Sequence, residues 1–204
     1  MQILKEETKQ ALLSAALNEF QEKGFEKASM RVIAKSSGMT IGNIYNYYPN
    51  KQALFEAVVS NAYQEYKKNI DDIKEKLYKR NKMVNGISST YFDGVEITIV
   101  NLIKSFTPEM TLLFIGSKGS DYQYIKEELT NISYEVTRSI FSNSFSMPII
   151  DNSYYDRLAH IIAENLIESI CIVMRNNADK ELFEKLIDHM IMTYSTSIKI
   201  VINN

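Results

Sequence analysis

Apolar residues recur along this chain at helical spacing, and nowhere do they alternate strictly as in a half-buried strand. Leu13, Leu17 and Phe20 stand at i, i+4 and i+7 with Ala16 beside them, which predicts a first helix near 6–23. Gly24 suits the left-handed C′ position that ends such a helix, and apolar Phe25 follows it. Ser29 is placed to cap a short helix over 30–36, which Gly38 breaks, and Thr40 to cap another over 41–47. Pro49 stops that helix. Asn50 caps a fourth, which begins at Lys51 and runs to about 79 on Leu54, Val58, Asn61, Ala62 and Tyr66.

The pattern continues in the same vein. Phe92, Val95, Ile99, Leu102 and Phe106 predict a helix near 84–105. Pro108 behind Thr107 opens a short one over 108–116. Ile125, Leu129, Ile132, Val136 and Ile140 mark one near 120–145, and two more follow near 153–176 and 179–202. The expected fold is all-α with about nine helices: a three-helix head over 1–52, a long fourth helix leading out of it, and a larger helical domain over 53–204.

Composition narrows the class. Only 7 Gly and 3 Pro argue against a turn-rich β protein. The first residues lack the apolar core of a secretory leader, and no stretch reaches the ~18 apolar residues of a membrane span, so a cytoplasmic protein with no membrane partner is expected. Cys171 is the single cysteine, which excludes an internal disulfide and a Cys-based zinc site. His160 and Glu164 share a helix face at i, i+4, without visible further ligands. No phosphate loop, nucleophile elbow or nicotinamide fingerprint is present, so neither an enzyme nor a cofactor is expected.

The net charge of −2 is unpromising for a nucleic-acid binder, but its distribution matters more than its sum. Residues 1–52 carry seven lysines and arginines against five glutamates, and from Lys27 to Phe55 there are four bases and no acid. Two short helices joined around a Gly, within 28–55, form a helix-turn-helix pattern. Ile33, Ala34, Ile44, Tyr48 and Leu54 supply its core. The second helix is left with Thr40, Ile41, Gly42, Asn43, Tyr45, Asn46 and Tyr47 to present. Three tyrosines in positions 45–48 are too many for the core face of a two-turn helix. Some must expose hydroxyls able to donate to phosphate oxygens. Lys51 opens a helix, where free backbone N–H groups also favour an anion, although a solvated lysine is the ordinary reading.

These residues resemble the TetR family of bacterial transcriptional regulators. The likeness covers about 8–60: the first helix ending in Gly24-Phe25, then Ile33-Ala34, Ser37-Gly38-Met39-Thr40, Gly42-Asn43-Ile44-Tyr45, Tyr47-Tyr48 and Asn50-Lys51. The resemblance implies a third helix in the major groove, with Thr40, Ile41, Gly42 and Tyr45 at groove-facing positions. It implies phosphate contacts at Asn46, Tyr47 and Lys51, with Ser29 as a further candidate. Ile41 departs from the lysine or other polar residue frequent there. Its apolar side chain can meet a thymine methyl but cannot hydrogen-bond a base edge.

Beyond about residue 80 no family motif is found. The resemblance implies a sensor domain for a small-molecule inducer, hence a repressor released from its double-stranded operator by an apolar or amphipathic ligand. Phe92, Glu96, Phe106, Met110, Phe114, Tyr122, Tyr134, Phe141 and Met174 are candidates to line its pocket, with ordinary core packing the alternative for each. Asp93 and Glu168, like Glu96, are acids flanked by apolar runs. The last two helices are apolar on more than one face, which predicts a homodimer through Leu158, Ile161, Ile162, Leu186, Met190 and Tyr194. An α-helical enzyme or a non-DNA interaction protein is the alternative. The interaction protein would not need the acid-free segment or the tyrosine-rich short helix.

Overall fold

The computed structural model describes residues 2–82, 107–144, 152–176 and 180–203. Its elements in chain order are α1 (Gln2–Lys27), α2 (Met30–Ser36), α3 (Ile41–Tyr47) and α4 (Lys51–Lys82), then α5 (Pro108–Thr111) running into a π-helical turn (Leu112–Gly116). α6 (Ile125–Ser144), α7 (Asn152–Asn176) and α8 (Lys180–Asn203) complete it, and no strand occurs among the described residues. The helix expected near 84–105 lies outside the described residues, and with it Phe92, Asp93, Glu96 and Phe106. No described helix is long and apolar enough to cross a membrane.

The buried stripe of α1 runs through Leu12, Ala16 and Phe20, while Leu13 and Leu17 are half-buried, so the inward face is turned slightly from the one expected. The stop expected at Gly24 takes a different form. Gly24 has φ 71° and ψ 164°, a conformation essentially confined to glycine. It interrupts the helix where the stop is expected, although its ψ is not the left-handed value. One more turn follows to Lys27, closed by the Ala28 N–H donating to the Gly24 carbonyl at 3.0 Å. That extra turn puts Phe25 into the core. Its ring lies 6.1 Å from Phe20 and 5.1 Å from Phe55, and Phe20 meets Phe55 edge-on at 5.0 Å.

The other boundaries follow their local chemistry. α2 ends on Gly38, φ 70°, with Met39 N–H donating to the Ala34 carbonyl and Gly38 N–H to that of Lys35, a Schellman stop. Asn50 caps α4 by accepting the Ala53 N–H at 2.8 Å, and Thr107 caps α5 by accepting the Met110 N–H at 3.2 Å. The helix expected from about 120 begins only at Ile125. Serines hold the preceding segment in turns: Ser120 donates both its amide and its hydroxyl to the Ser117 carbonyl, and its Oγ accepts the Tyr122 N–H.

The chain forms two compact units. The first is Met1–Tyr66 with Phe106–Ile125, so it extends beyond the 1–52 head by the first half of α4, α5 and the π turn. Its core holds Leu12, Phe20, Ile33, Ile44, Phe55, Tyr66, Met110 and Phe114, all buried. The second unit is Lys67–Ser105 with Lys126–Asn204. There α7 packs on α8, and Leu129, Phe141, Ala163, Ile167, Ile170 and Ile187 are buried.

Gly24→Ala should destabilise the protein by about 1–3 kcal/mol through backbone strain. A Cβ there meets only the Gly116 carbonyl oxygen, at an ordinary 3.6 Å, so steric conflict adds little. Urea denaturation followed by circular dichroism measures the loss.

Candidate nucleic-acid interface

α3 is seven residues long and buries one of them completely, Ile44. From Thr40 to Tyr47 every other residue is exposed. Large side chains that would ordinarily be hidden are on display: Ile41 is 38% exposed, Tyr45 45% and Tyr47 40%. Gly42 stands among them with open space where a side chain would project, so a flat partner can approach the backbone there. Tyr48 turns back toward the protein and is half-buried. Burial, with Glu6 nearby, pushes its hydroxyl above the usual range and keeps it a protonated donor.

So short a helix needs help at its ends. Thr40 is the N-cap, in extended conformation, and its Oγ1 accepts the Asn43 N–H at 3.2 Å. Behind α3, α2 contributes the buried pair Ile33 and Ala34. Lys27, Arg31 and Lys35 are exposed on the same acid-free stretch, 27–55. The result is an outward, uncharged, hydroxyl- and amide-bearing ridge with basic residues preceding it. Such a ridge can donate to phosphates from Asn46 and Tyr47 and offer Thr40, Ile41, Gly42 and Tyr45 to a groove.

Two expected contact residues are placed differently. Ser29 occupies the N-cap of α2, but its side chain makes no capping hydrogen bond. Its amide N–H instead donates to Oε1 of Glu19 at 2.9 Å. The Lys51 ammonium donates to the carbonyls of Glu26 and Ala28, at 3.2 and 3.3 Å, and lies 4.7 Å from the centre of the Phe25 ring. Glu19 is a residue that sequence reasoning passed over as one charge among five. Its position four residues after Ala15 and seven after Leu12, on the buried face of α1, was the available signal.

Residues 12–58 match the family model for bacterial regulatory proteins of the tetR family. Over that segment the chain is similar to the tetR family, and the match is confined to the N-terminal part of the chain. A similar relative is the HTH-type transcriptional regulator UidR of Escherichia coli strain K12, 26% identical over 141 residues, which are 69% of this chain and 66% of UidR, just under two thirds. The probable HTH-type transcriptional regulator YttP of Bacillus subtilis strain 168 is 35% identical over 68 residues, 33% of each chain. Among solved structures, the fatty acid degradation regulator FadR from Bacillus halodurans shares the fold with a TM-score of 0.52. Its identity to this chain is 14%, and the likeness covers 91% of this chain and 93% of FadR.

The ligand candidates among the described residues divide between the units. Met110, Phe114 and Tyr122 are buried in the first, where Phe114 meets Tyr66 edge-on at 5.6 Å and Tyr122 meets Tyr63 at 4.8 Å. Tyr134, Phe141 and Met174 belong to the second. Phe141 and Met174 are buried there, while half-buried Tyr134 stacks on His160 at 3.7 Å and donates to Asp156 at 2.5 Å. Glu168 pairs with Lys126 and Arg175, and these cations hold its carboxyl below the usual range. Burial pushes the Cys171 thiol up, away from thiolate chemistry. On α7 and α8, Ile161 is 54% exposed, while Leu158, Ile162, Leu186, Met190 and Tyr194 are half-buried.

Thr40→Ala removes the α3 cap and should cost about 1 kcal/mol of stability in the absence of DNA. Thr40→Ser keeps the acceptor oxygen and should cost a fraction of that. Thermal melts of the two variants make the comparison.

Proposed function

We propose that this chain is a DNA-binding transcriptional repressor that occupies a palindromic operator as a homodimer and leaves it when a small apolar or amphipathic ligand binds. The observation that carries this reading is the outward display of Thr40–Tyr47 on a helix anchored by Ile44 alone. A helix serving only the core would not expose two tyrosines and an isoleucine while keeping all seven exposed positions of 40–47 free of acids. Thr40, Ile41, Gly42 and Tyr45 enter the major groove, and Asn46, Tyr47 and the Ser29 hydroxyl meet phosphates. A two-fold dimer sets the two α3 helices into half-sites roughly 34–36 Å apart, or a multiple of that.

The dimer forms through α7 and α8. Ile161 and Ile172 are exposed on α7 and Met192 on α8, beside half-buried Leu158, Ile162, Leu186, Met190 and Tyr194. These apolar side chains have the character of a subunit interface more than of a solvated surface. The ligand is taken up by the second unit, whose aromatic and thioether side chains include Tyr134, Phe141 and Met174. The continuous α4 conveys the change to the head. Only a ligand that prefers one arrangement over the other can release the operator. The protein acts in the cytoplasm.

Three measurements test this reading. Light scattering should give twice the 23.5 kDa of one chain, and the mass of a single chain would defeat the dimer. A duplex selected by the protein from a random pool should be bound with steep salt dependence. Tyr45→Phe and Tyr47→Phe should weaken that binding severalfold with melting temperature unchanged, and unchanged affinity would remove both hydroxyls from the interface.

Ile41 should make thymine matter in each half-site. Replacing the contacted thymine by deoxyuridine removes one methyl group, worth about 0.8 kcal/mol or roughly fourfold in affinity. The wild type should register that loss and Ile41→Ala should not. Silent thymines throughout the half-site would refute the contact.

A further inference from the structure

The junction between α1 and α2, residues 26–29, is gripped by two charged side chains from different helices, each with the polarity its partner requires. From α4, the Lys51 ammonium donates to the Glu26 and Ala28 carbonyls. From α1, the Glu19 carboxylate accepts the Ser29 amide. Glu19 is only 8% exposed, in the groove where α1 faces Val32 and Ser36 of α2. A carboxylate taken that far from water is costly unless hydrogen bonds compensate it, and a backbone N–H is a strong donor for the purpose.

Ser29 does not fix the start of α2 by the ordinary local means, since its hydroxyl makes no cap bond. The direction of α2 is therefore taken from α1 and α4. α2 is seven residues long, roughly 10 Å at 1.5 Å per residue, and α3 packs on it. A small error in direction at Ser29 is carried along that length into the position of α3.

We propose that Glu19 and Lys51 are positioning residues for DNA binding, which clamp the α1–α2 junction and thereby set the angle at which α3 is presented. The proposal rests on the DNA-binding reading of α3. In this role Lys51 spends two of its three N–H donors on the protein's own backbone, and its effect on DNA passes through the junction instead of through a phosphate.

The test uses the full chain and a duplex selected from a random pool by the wild type. Lys51→Met and Glu19→Leu should each weaken binding roughly tenfold, the scale of one lost charge-assisted hydrogen bond. The slope of log affinity against log salt should stay at the wild-type value in both. A direct phosphate contact at Lys51 would instead lower that slope by about one on its removal. Because both side chains hold one junction, the double variant should lose clearly less than the product of the two single losses. Glu19→Gln keeps an acceptor oxygen and should stay within about threefold of wild type. In the free wild type, the Ser29 amide should exchange with solvent at a protected rate although it precedes the helix.

A Lys51→Met slope reduced by one, multiplicative losses, or a Ser29 amide that exchanges at loop rates would each overturn the proposal. The exchange measurement decides even if a variant fails to fold. A wild type that selects no duplex would defeat the DNA-binding reading. The junction is then judged by the Ser29 amide and by non-additive melting temperatures.

Discussion

α3 has two turns and exposes seven of the eight residues from Thr40 to Tyr47, so its hydrophobic attachment passes almost entirely through Ile44, with Tyr48 half-buried behind it. Burying one isoleucine yields about 1.5–3 kcal/mol. Ordering two or three backbone residues consumes as much. The helix cannot hold itself, and its display of tyrosines depends on ends that are closed for it. Thr40 closes the first turn, and the Tyr48 amide closes the last by donating to the Ile44 carbonyl at 2.9 Å.

The frame behind α3 is aromatic. Phe20, Phe25 and Phe55 meet at centroid distances of 5.0–6.1 Å, binding the two sides of the Gly24 kink near the C-terminal end of α1 and the start of α4 into one cluster. Phe25 reaches this cluster because Gly24 takes a conformation closed to other residues. The same detour leaves the carbonyls of Glu26 and Ala28 pointing where the Lys51 ammonium can donate to them. A single glycine thus serves both the apolar core and the polar junction beside it.

The second unit is put together differently. Its helices bury aliphatic residues on one side, such as Ala163, Ile167 and Ile187, and still show Ile161, Ile172 and Met192 on another. Polar links stitch α6 to α7: Lys126 with Glu168, Arg138 and Tyr134 with Asp156, and the Tyr134–His160 stack. Half-exposed ion pairs of this kind contribute little to stability. They fix register between helices whose apolar faces would tolerate several.

Much of this was readable from residue types alone. Thr40, Asn50 and Thr107 are caps because a short oxygen-bearing side chain before a helix satisfies a local N–H, and all three act within three residues of themselves. The limits of α2 and α3, the inward Ile33, Ala34 and Ile44 and the outward Tyr45 and Tyr47 follow from the same short-range rules and helical periodicity. What depended on distant partners was not readable. Ser29 looks like any N-cap, yet its amide is claimed by Glu19 ten residues away. Lys51 looks like a surface lysine, yet it is held by carbonyls 23 and 25 residues earlier. Residues 120–124 fit a helical pattern, yet serine hydroxyls take the backbone groups a helix would need. Local sequence sets propensity and periodicity because those act over one or two turns. Which acceptor a buried donor finds is decided only when separate helices pack, since polar groups cut off from water must take whichever partner the fold brings within reach.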